Sequence, residues 1–214
     1  MLQITRLTAR QASYKLQANR GFTLVETLVV LGIFVIVTAI VLVGNNSFNN
    51  TILLTNFAYD VALTVARAQS YGVSVKQFGS GAESFNVGYG VHFRLCGATA
   101  DINESDDVSF VLFADANRNQ YYEKPGEFLE RYITRRGNKI SHLYWLDSFG
   151  VPSALSGGVD ISFERPDPDA GFVFFDCDSR VISHNARAVR VEVVSPAGIT
   201  KNINIETTGQ ISVQ

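Results

Sequence analysis

An apolar run near the N-terminus, 22 residues long and spanning 22–43, constrains this chain more than any other feature. A helix rises 1.5 Å per residue, so the run covers about 33 Å, enough for the ~30 Å hydrocarbon core of a membrane. Every backbone group in lipid must pair within the segment, which makes helix the expected form. Glu26 lies near the start of the run, although a charge at the centre of a span costs roughly 2.5–3.5 kcal/mol. A chain that needed only an anchor would not carry this glutamate.

Charge is distributed unevenly around the apolar run. The upstream flank contains no acidic residue and four basic ones, Arg6, Arg10, Lys15 and Arg20, whereas the first charge downstream is Asp60. The positive-inside rule therefore places the N-terminus in the cytoplasm and the net-acidic remainder outside. A secretory signal peptide fits poorly, because the run exceeds a normal apolar region and no small-x-small cleavage site follows it. A plain membrane anchor is the simpler alternative, and it leaves Glu26 unexplained.

The letters GFTLVE, residues 21–26, lie between the basic leader and the rest of the apolar run. This arrangement resembles the type III signal of type IV pilins and pseudopilins. The resemblance implies that a prepilin peptidase, which also acts as the N-methyltransferase, cuts after Gly21 and methylates the new terminus at Phe22. It also implies that Glu26, the fifth residue of the mature chain, guides assembly and sets register.

Elementary electrostatics agrees with that role. A cut after Gly21 gives Phe22 an α-amino group that is mostly cationic at neutral pH. The Glu26 carboxylate lies one helical turn further on and can meet the amine of a neighbouring subunit. In a low-dielectric helix bundle this attraction is strong, and setting register is the best-attested use of a buried ion pair. The costly glutamate is explained if the helices leave the bilayer and pack together.

Downstream of the apolar run the patterns change from helix to strand. Poor helix formers occupy 44–50, and apolar residues then recur at helical spacing over 51–72. Runs rich in β-branched and aromatic residues predict strands at 87–93, 108–113, 140–146, 161–163, 172–175, 189–193 and 202–205, with a last short strand at the C-terminus. The expected fold class is α+β, with a long N-terminal helix packed on a mainly antiparallel β-sheet head.

The expected organisation follows the resemblance: a leader peptide 1–21, a transmembrane and assembly helix 22–50, and a pilin-like head 51–214 that contains a helix 51–72 and a β-rich region 85–214. The segments VLFADANRNQYYEKPGEFLE, FFDCDSRVIS and VEVVSPAGITKNINIETTGQI resemble the H-type minor pseudopilin of type II secretion systems and its type IV pilus counterparts. This implies four partners: the prepilin peptidase, other pilin or pseudopilin subunits, an inner-membrane assembly platform and membrane lipid. It implies a single-pass inner-membrane protein that later enters a pilus or pseudopilus.

A polar stretch carries oxygen-bearing side chains at short intervals: Asp115, Asn117, Asn119, Glu123 and Glu127. Alternating oxygen ligands partly match a calcium loop, and calcium is the one cofactor that the sequence suggests. Gln120 stands where such a loop has glycine, and Gly126 stands where it has the closing acid. The other interpretation is an Asx-rich hairpin loop without metal.

Two cysteines, Cys96 and Cys177, are too far apart in sequence for a CxxC zinc or redox motif. They would be able to form a disulfide if the head lies outside the cytoplasm, and free buried cysteines are the alternative.

One basic cluster lies between predicted strands: Arg131, Arg135, Arg136 and Lys139. It is the basis of an alternative function, a filament subunit that binds DNA for uptake, although nucleic acid is otherwise unexpected in an acidic head. No catalytic arrangement is recognisable, so we do not expect an enzyme. His92, His142 and His184 are scattered and are interpreted as surface or strand histidines. The acidic residues of 101–107 are interpreted as a solvated loop.

Overall fold

The computed structural model describes residues 21–74, 76–80, 85–97 and 101–214, except for the side chains of residues 43–48. Over these residues the chain forms one long helix and eleven strands, which are arranged in two antiparallel sheets. This confirms the predicted α+β class. The basic leader lies outside the described residues. The chain divides into two compact units, Met1–Gly44 and Asn45–Gln214, which are described separately below.

Helix α1 comprises Leu24–Val73. The part in the first unit is the apolar run, whose large side chains are exposed along its length. The part in the second unit has apolar residues at helical spacing, and these are buried in the head: Leu54, Ala58, Val61, Val65 and Ala68. The helix predicted at 51–72 is therefore present and ends one residue later. The backbone is also helical through 44–50, where poor helix formers made the prediction weakest.

The strands are β1 (Gly88–Arg94), β2 (Ser109–Asp115), β3 (Phe128–Ile133), β4 (Lys139–Leu146), β5 (Pro152–Leu155), β6 (Gly158–Phe163), β7 (Ala170–Phe175), β8 (Val181–Ile182), β9 (Ala188–Val194), β10 (Thr200–Glu206) and β11 (Ile211–Val213). A six-stranded sheet has the order β3-β2-β1-β6-β7-β8, and a five-stranded sheet has the order β11-β10-β9-β4-β5.

Three of these strands are missing from the sequence prediction, each for a local reason. Strand β3 carries Glu130 and Arg131 at its centre, which obscures its apolar positions. Strand β5 begins with Pro152, a residue that weakens a strand assignment, and β8 is only 2 residues long. All three lie towards the edges of their sheets, where burial imposes less pattern on the sequence.

The core of the head lies between α1 and the inner faces of both sheets. Strands β1, β2 and β6 are buried at nearly every position, because the segments on either side of β2, 101–107 and 116–127, cover the other face of the six-stranded sheet. Tyr122 of the second segment packs against Val111 and Phe113. Strand β9 instead alternates between buried and half-buried residues, as expected when one face of a sheet meets water. Ionisable residues on the doubly covered sheet must therefore find partners inside the protein.

Candidate functional site

The N-terminal end of α1 is organised by Thr23, the residue before the first helical position. The backbone N–H of Glu26 donates to the Thr23 side-chain oxygen at 3.1 Å. This is the N-cap contact of a T-x-x-E pattern, and it satisfies one of the unpaired N–H groups of the first turn. Glu26 stands in that first turn, where the positive end of the helix dipole favours a carboxylate. The local sequence thus fixes both the start of the helix and the position of the glutamate.

The residues around the expected cut are open. Phe22 is 84% exposed, and a Cβ built on Gly21 would meet no atom within 4 Å. Neither residue is part of the helix, which begins at Leu24. The backbone at this point is therefore outside the helix, and the Phe22 side chain is open to a peptidase. The four basic residues expected to hold the leader in the cytoplasm lie outside the described part of the chain.

The apolar run has no burial within the chain. A 19-residue stretch, Leu24–Leu42, is long and apolar enough to cross a membrane, and none of it is buried. Its length of about 29 Å matches the hydrocarbon core of a bilayer. Thr38 does not interrupt this surface, because its hydroxyl donates to the Phe34 carbonyl oxygen at 2.7 Å. Such a helix needs lipid or other helices around it.

A buried ionic cluster in the head was missed by the sequence analysis. His92 on β1 is paired across the sheet with Asp160 on β6, and its Nδ1 lies 2.6 Å from Asp160 Oδ1. Its Nε2 lies 2.8 Å from Glu104 Oε1. Lys124 then donates to Glu104 at 2.8 Å and to Asp101 at 2.9 Å. The cluster links the central strands β1 and β6 to the two covering segments, 101–107 and 116–127.

The charges in this cluster stabilise one another. Burial works to lower the pKa of His92, but Asp160 and Glu104 outweigh it and raise the pKa to about 9. Burial works to raise the pKa of Glu104, but His92 and Lys124 lower it to about 2. His92 is therefore a cation and Glu104 an anion at neutral pH. One sequence signal points to this site: in each of two strands an ionisable residue lies between two apolar ones, His92 between Val91 and Phe93, and Asp160 between Val159 and Ile161.

The interpretation of 101–107 as a solvated loop is wrong for two of its acids. The Glu104 side chain is 12% exposed and faces His92. The Asp106 side chain is 5% exposed and accepts from Arg131 at 3.2 Å. Both carboxylates point into the head because each pairs with a cation there, Glu104 with His92 and Asp106 with Arg131. These partners are distant in sequence, so local composition does not predict the pairing.

The suggested calcium residues do lie together, in the loop after β2. Their carboxylates accept hydrogen bonds from the loop itself: Asp115 from the N–H of Gln120 at 2.8 Å, and Glu127 from the N–H of Ala116 at 2.9 Å. Glu123 accepts from the side-chain amides of Asn117 and Asn119 at 3.1 and 3.0 Å. Within the described residues no group of three or more His, Cys, Asp or Glu side chains is arranged to hold a metal. Calcium binding stays a prediction, to be tested by the effect of Ca²⁺ and of a chelator on thermal unfolding.

Burial raises the pKa of both Asp115 and Glu127. The hydrogen-bond pattern is that of an Asx-rich loop, in which acids order the backbone.

The basic cluster does not stay together at the surface. The Arg131 guanidinium donates to Ser109 Oγ and to Asp106 inside the head, so it is not available to a phosphate. Lys139 lies 3.8 Å from Asp107. Arg135 and Arg136 are exposed. Any contact with DNA would therefore depend mainly on these two arginines.

The two cysteines, 81 positions apart, are joined in a disulfide with a Cα–Cα distance of 5.3 Å. Cys96 follows β1 and Cys177 follows β7, so the bond connects two strands that are not neighbours in their sheet. Asp176 beside it accepts from the backbone N–H of Asp178 and Arg180 and closes the turn before β8.

Comparison with known families gives one match, which falls on the N-terminal end. The prokaryotic N-terminal methylation motif matches residues 16–42, a range that contains the expected cleavage site, Glu26 and the apolar run. No curated protein and no solved structure matches the chain. The match supports a prepilin-like signal of the type IV pilin class, which is a class of structural subunits, and it does not extend to the head.

Proposed function

We propose that this protein is a minor pilin or pseudopilin subunit that is cut after Gly21, methylated at Phe22 and assembled through α1 into a type IV pilus or a type II secretion pseudopilus. The observation that carries the proposal is a coincidence of register. The methylation motif, the open Gly21–Phe22 junction, the capped helix start and the fully exposed apolar run follow one another without a gap. The head's resemblance to the H-type subunit supports a minor rather than a major role.

The N-terminal geometry supports a specific assembly step. Phe22 and Thr23 precede the helix, so the new amine would stand at the helix end while Glu26 stays in the first turn. In a bundle of such helices the carboxylate of one subunit pairs with the amine of its neighbour. Low dielectric makes this pair strong and makes an unpaired charge costly, which selects one axial register. An uncut leader would keep the helix end in the cytoplasm and prevent this packing.

The head suits a position outside the cytoplasm. A disulfide forms and persists in oxidising compartments and is rare in the cytosol. The net-acidic head and basic leader agree with the same orientation. The prepilin peptidase, other subunits and an inner-membrane assembly platform would then be the successive partners.

The test is intact-mass measurement and N-terminal sequencing of the protein from cells with and without an active prepilin peptidase. We expect a chain that begins at N-methylated Phe22 only when the peptidase is present. A Gly21→Val variant should keep its leader in both strains. A chain that starts at Met1 in both strains, or is cut elsewhere, would reject the proposal and leave a plain membrane anchor.

A further inference from the structure

The edge strands of the two sheets differ in how they are protected. Strands β8, β11 and β5 have 2, 3 and 4 residues, and β5 begins with Pro152. Strand β3, at the other edge of the six-stranded sheet, has 6 residues and contains neither proline nor lysine. Short length and proline are two means of preventing an edge from pairing with another chain, and charged residues and β-bulges are others. Strand β3 carries Glu130 and Arg131, and its pairing with β2 shifts register between Leu112 and Phe113. It is nevertheless the longest edge strand among those described, so it offers the longest free row of backbone groups.

The outward-facing groups of β3 are identified by its hydrogen bonds to β2. Thr134 N–H donates to the Val108 carbonyl oxygen at 2.7 Å, on the side of β2. Hydrogen-bonding direction alternates along a strand, so the N–H and C=O groups of Ile133 and Arg131 point away from β2. In the part of the chain that the structure describes, no strand pairs with this side. Ile133 and Arg131 thus each offer a backbone N–H donor and a backbone carbonyl acceptor to a further strand.

A groove follows this open edge. Two cavities of about 790 and 310 Å³ adjoin, and both are lined by Phe57, Asp60, Ile133 and Arg135. On α1 their lining extends from Leu53 to Arg67, which is about 21 Å of helix. An extended strand of about six residues has that length.

The wall of the groove is apolar where it opens. Leu63 of α1 is 69% exposed and Ile133 of β3 is 64% exposed. Both residues line the same cavity, but the Ile133 side chain lies on the sheet face that carries Arg131, whereas Leu63 lies on the α1 side. Successive side chains of an added strand point to opposite faces, so one would cover Leu63 and the next would cover Ile133.

The charges of the groove indicate what its occupant carries. Arg67 pairs with Glu130 at 2.9 Å, and Arg131 is turned into the head towards Asp106. Asp60 is exposed and lines both cavities, and Arg135 and Arg136 are exposed at one end, where the two guanidinium groups outnumber the one carboxylate. Acidic residues in the occupant would complement this end.

We propose that the outer edge of β3 and the groove beside it form a strand-addition site for an extended segment of another protein. The segment places the apolar atoms of one side chain against Leu63 and those of the next against Ile133, and it places acidic residues beside Arg135 and Arg136. Backbone hydrogen bonds to a sheet edge supply affinity in this binding mode, and pockets for alternate side chains supply specificity. A second copy is a poorer occupant, because an antiparallel pair of β3 strands centred on Arg131 would set two arginines opposite each other. The proposal does not depend on processing at Gly21.

The test uses the full chain in detergent micelles and two fluorescent peptides, an acidic TVTVTEE and a basic TVTVTKK. We expect the acidic peptide to bind about tenfold more tightly, because two residues change from anionic to cationic beside two exposed arginines and the small contribution of each exposed pair adds. An Arg135→Glu, Arg136→Glu double variant should reverse the preference. Hydrogen exchange at the amides of Arg131 and Ile133 should slow when the peptide binds.

An Ile133→Pro variant removes an outward N–H and leaves the ladder to β2 intact, so it should weaken the acidic peptide about tenfold. Ile133→Val keeps that N–H and is the matched control. Because the charge-reversal variant changes only exposed side chains, it tests the site even if the proline variant unfolds.

Four results would overturn the proposal. The first is no binding of either peptide by the unmodified chain. The second is binding that leaves exchange at Arg131 and Ile133 unchanged, which would mean that the groove is filled without strand addition. The third is a dimer of the chain that Ile133→Pro dissociates, which would make a second copy the occupant. The fourth is a single-stranded oligonucleotide that binds with steep salt dependence through Arg135 and Arg136 and is unaffected by Ile133→Pro.

Discussion

His92 carries a positive charge inside the head because two carboxylates face it. Its pKa of about 9 lies above the ordinary value of 6.5, so the folded state holds this proton more tightly than the unfolded state does. The resulting stabilisation is complete below about pH 6.5 and is lost as the pH rises towards 9. For a fully buried imidazole this contribution is about 3 kcal/mol. Glu104 contributes in the acidic range. Its pKa in the folded state, about 2, lies below the ordinary glutamate value of 4.5, so the stabilisation that it provides is lost as the pH falls from 4.5 towards 2.

We therefore expect a His92→Gln variant to be less stable than the original chain at pH 6 and to show little change in stability between pH 6.5 and 9. The free energy of unfolding is measured by denaturant titration of the full chain in detergent. Trp145, the single tryptophan, reports the transition because it stacks on His184 at 4.7 Å within the head.

His142→Gln is the matched control for this measurement. The His142 side chain is 58% exposed and lies 3.0 Å from Glu192. Solvent screens such a pair, so its loss should change stability by less than about 0.5 kcal/mol at any pH. Equal pH dependence in the His92 variant and the original chain would show that the cluster does not hold a proton.

Glu26→Gln tests the proposed assembly contact at the same scale. The amide keeps the shape of the side chain and removes the charge. We expect cleavage and methylation to proceed, while the amount of subunit in isolated filaments falls by more than about tenfold, because an amine buried without its partner costs several kcal/mol. Thr38→Ser, in the same run, should assemble normally, since Thr38 bonds only to its own helix. Normal assembly of the Glu26 variant would contradict the register role.

At the scale of elements, the sequence predicted the helices and strands whose burial repeats with a regular period. Helix 51–72 and most interior strands were found because burial repeats along them with a period of 3.6 or 2. Strand β3 was missed because Glu130 and Arg131 interrupt its apolar positions, and their partners Arg67 and Asp106 are distant in sequence. The His92 cluster was missed because Asp160 is 68 positions away, and no local pattern reports a pairing between strands. The N-terminal methylation motif was predictable because its signal is local and lies within a few consecutive residues.

The contact between α1 and the six-stranded sheet gives a prediction about packing. Gly72, near the end of α1, lies against the backbone of Phe163: a Cβ on Gly72 would meet the Phe163 carbonyl oxygen, and its carbonyl carbon at 2.8 Å. Backbone on both sides leaves little room to adjust. Gly72→Ala should therefore lower the free energy of unfolding by about 1–3 kcal/mol.

Gly126→Ala is the control, because a Cβ there would meet nothing within 4 Å. Its stability should stay within about 0.5 kcal/mol of the original chain. A tolerated Gly72→Ala would mean that α1 can shift against the sheet.

At the scale of the whole molecule, the disulfide closes a large loop that contains most of the six-stranded sheet. Residues 81 positions apart are joined, so the bond removes much freedom from the unfolded chain. Replacing both Cys96 and Cys177 with serine should lower the free energy of unfolding by about 2–4 kcal/mol. Denaturant titration with Trp145 fluorescence measures the loss. Reductant should produce a similar loss of stability in the original chain and no loss in the variant. If reductant leaves the stability of the original chain unchanged, the disulfide is absent.

The unburied apolar run affects how subunits would reach a growing filament. The 19-residue apolar stretch Leu24–Leu42, none of which is buried, has no stable place in water. A subunit that assembles as proposed would pass from lipid to a bundle of like helices, so unassembled subunits would be held in the plane of the membrane. The quantity that governs growth of any filament is then the number of molecules per unit area of bilayer. Doubling expression would speed growth only if the membrane did not expand in proportion, and lateral diffusion would set the fastest rate at which subunits arrive.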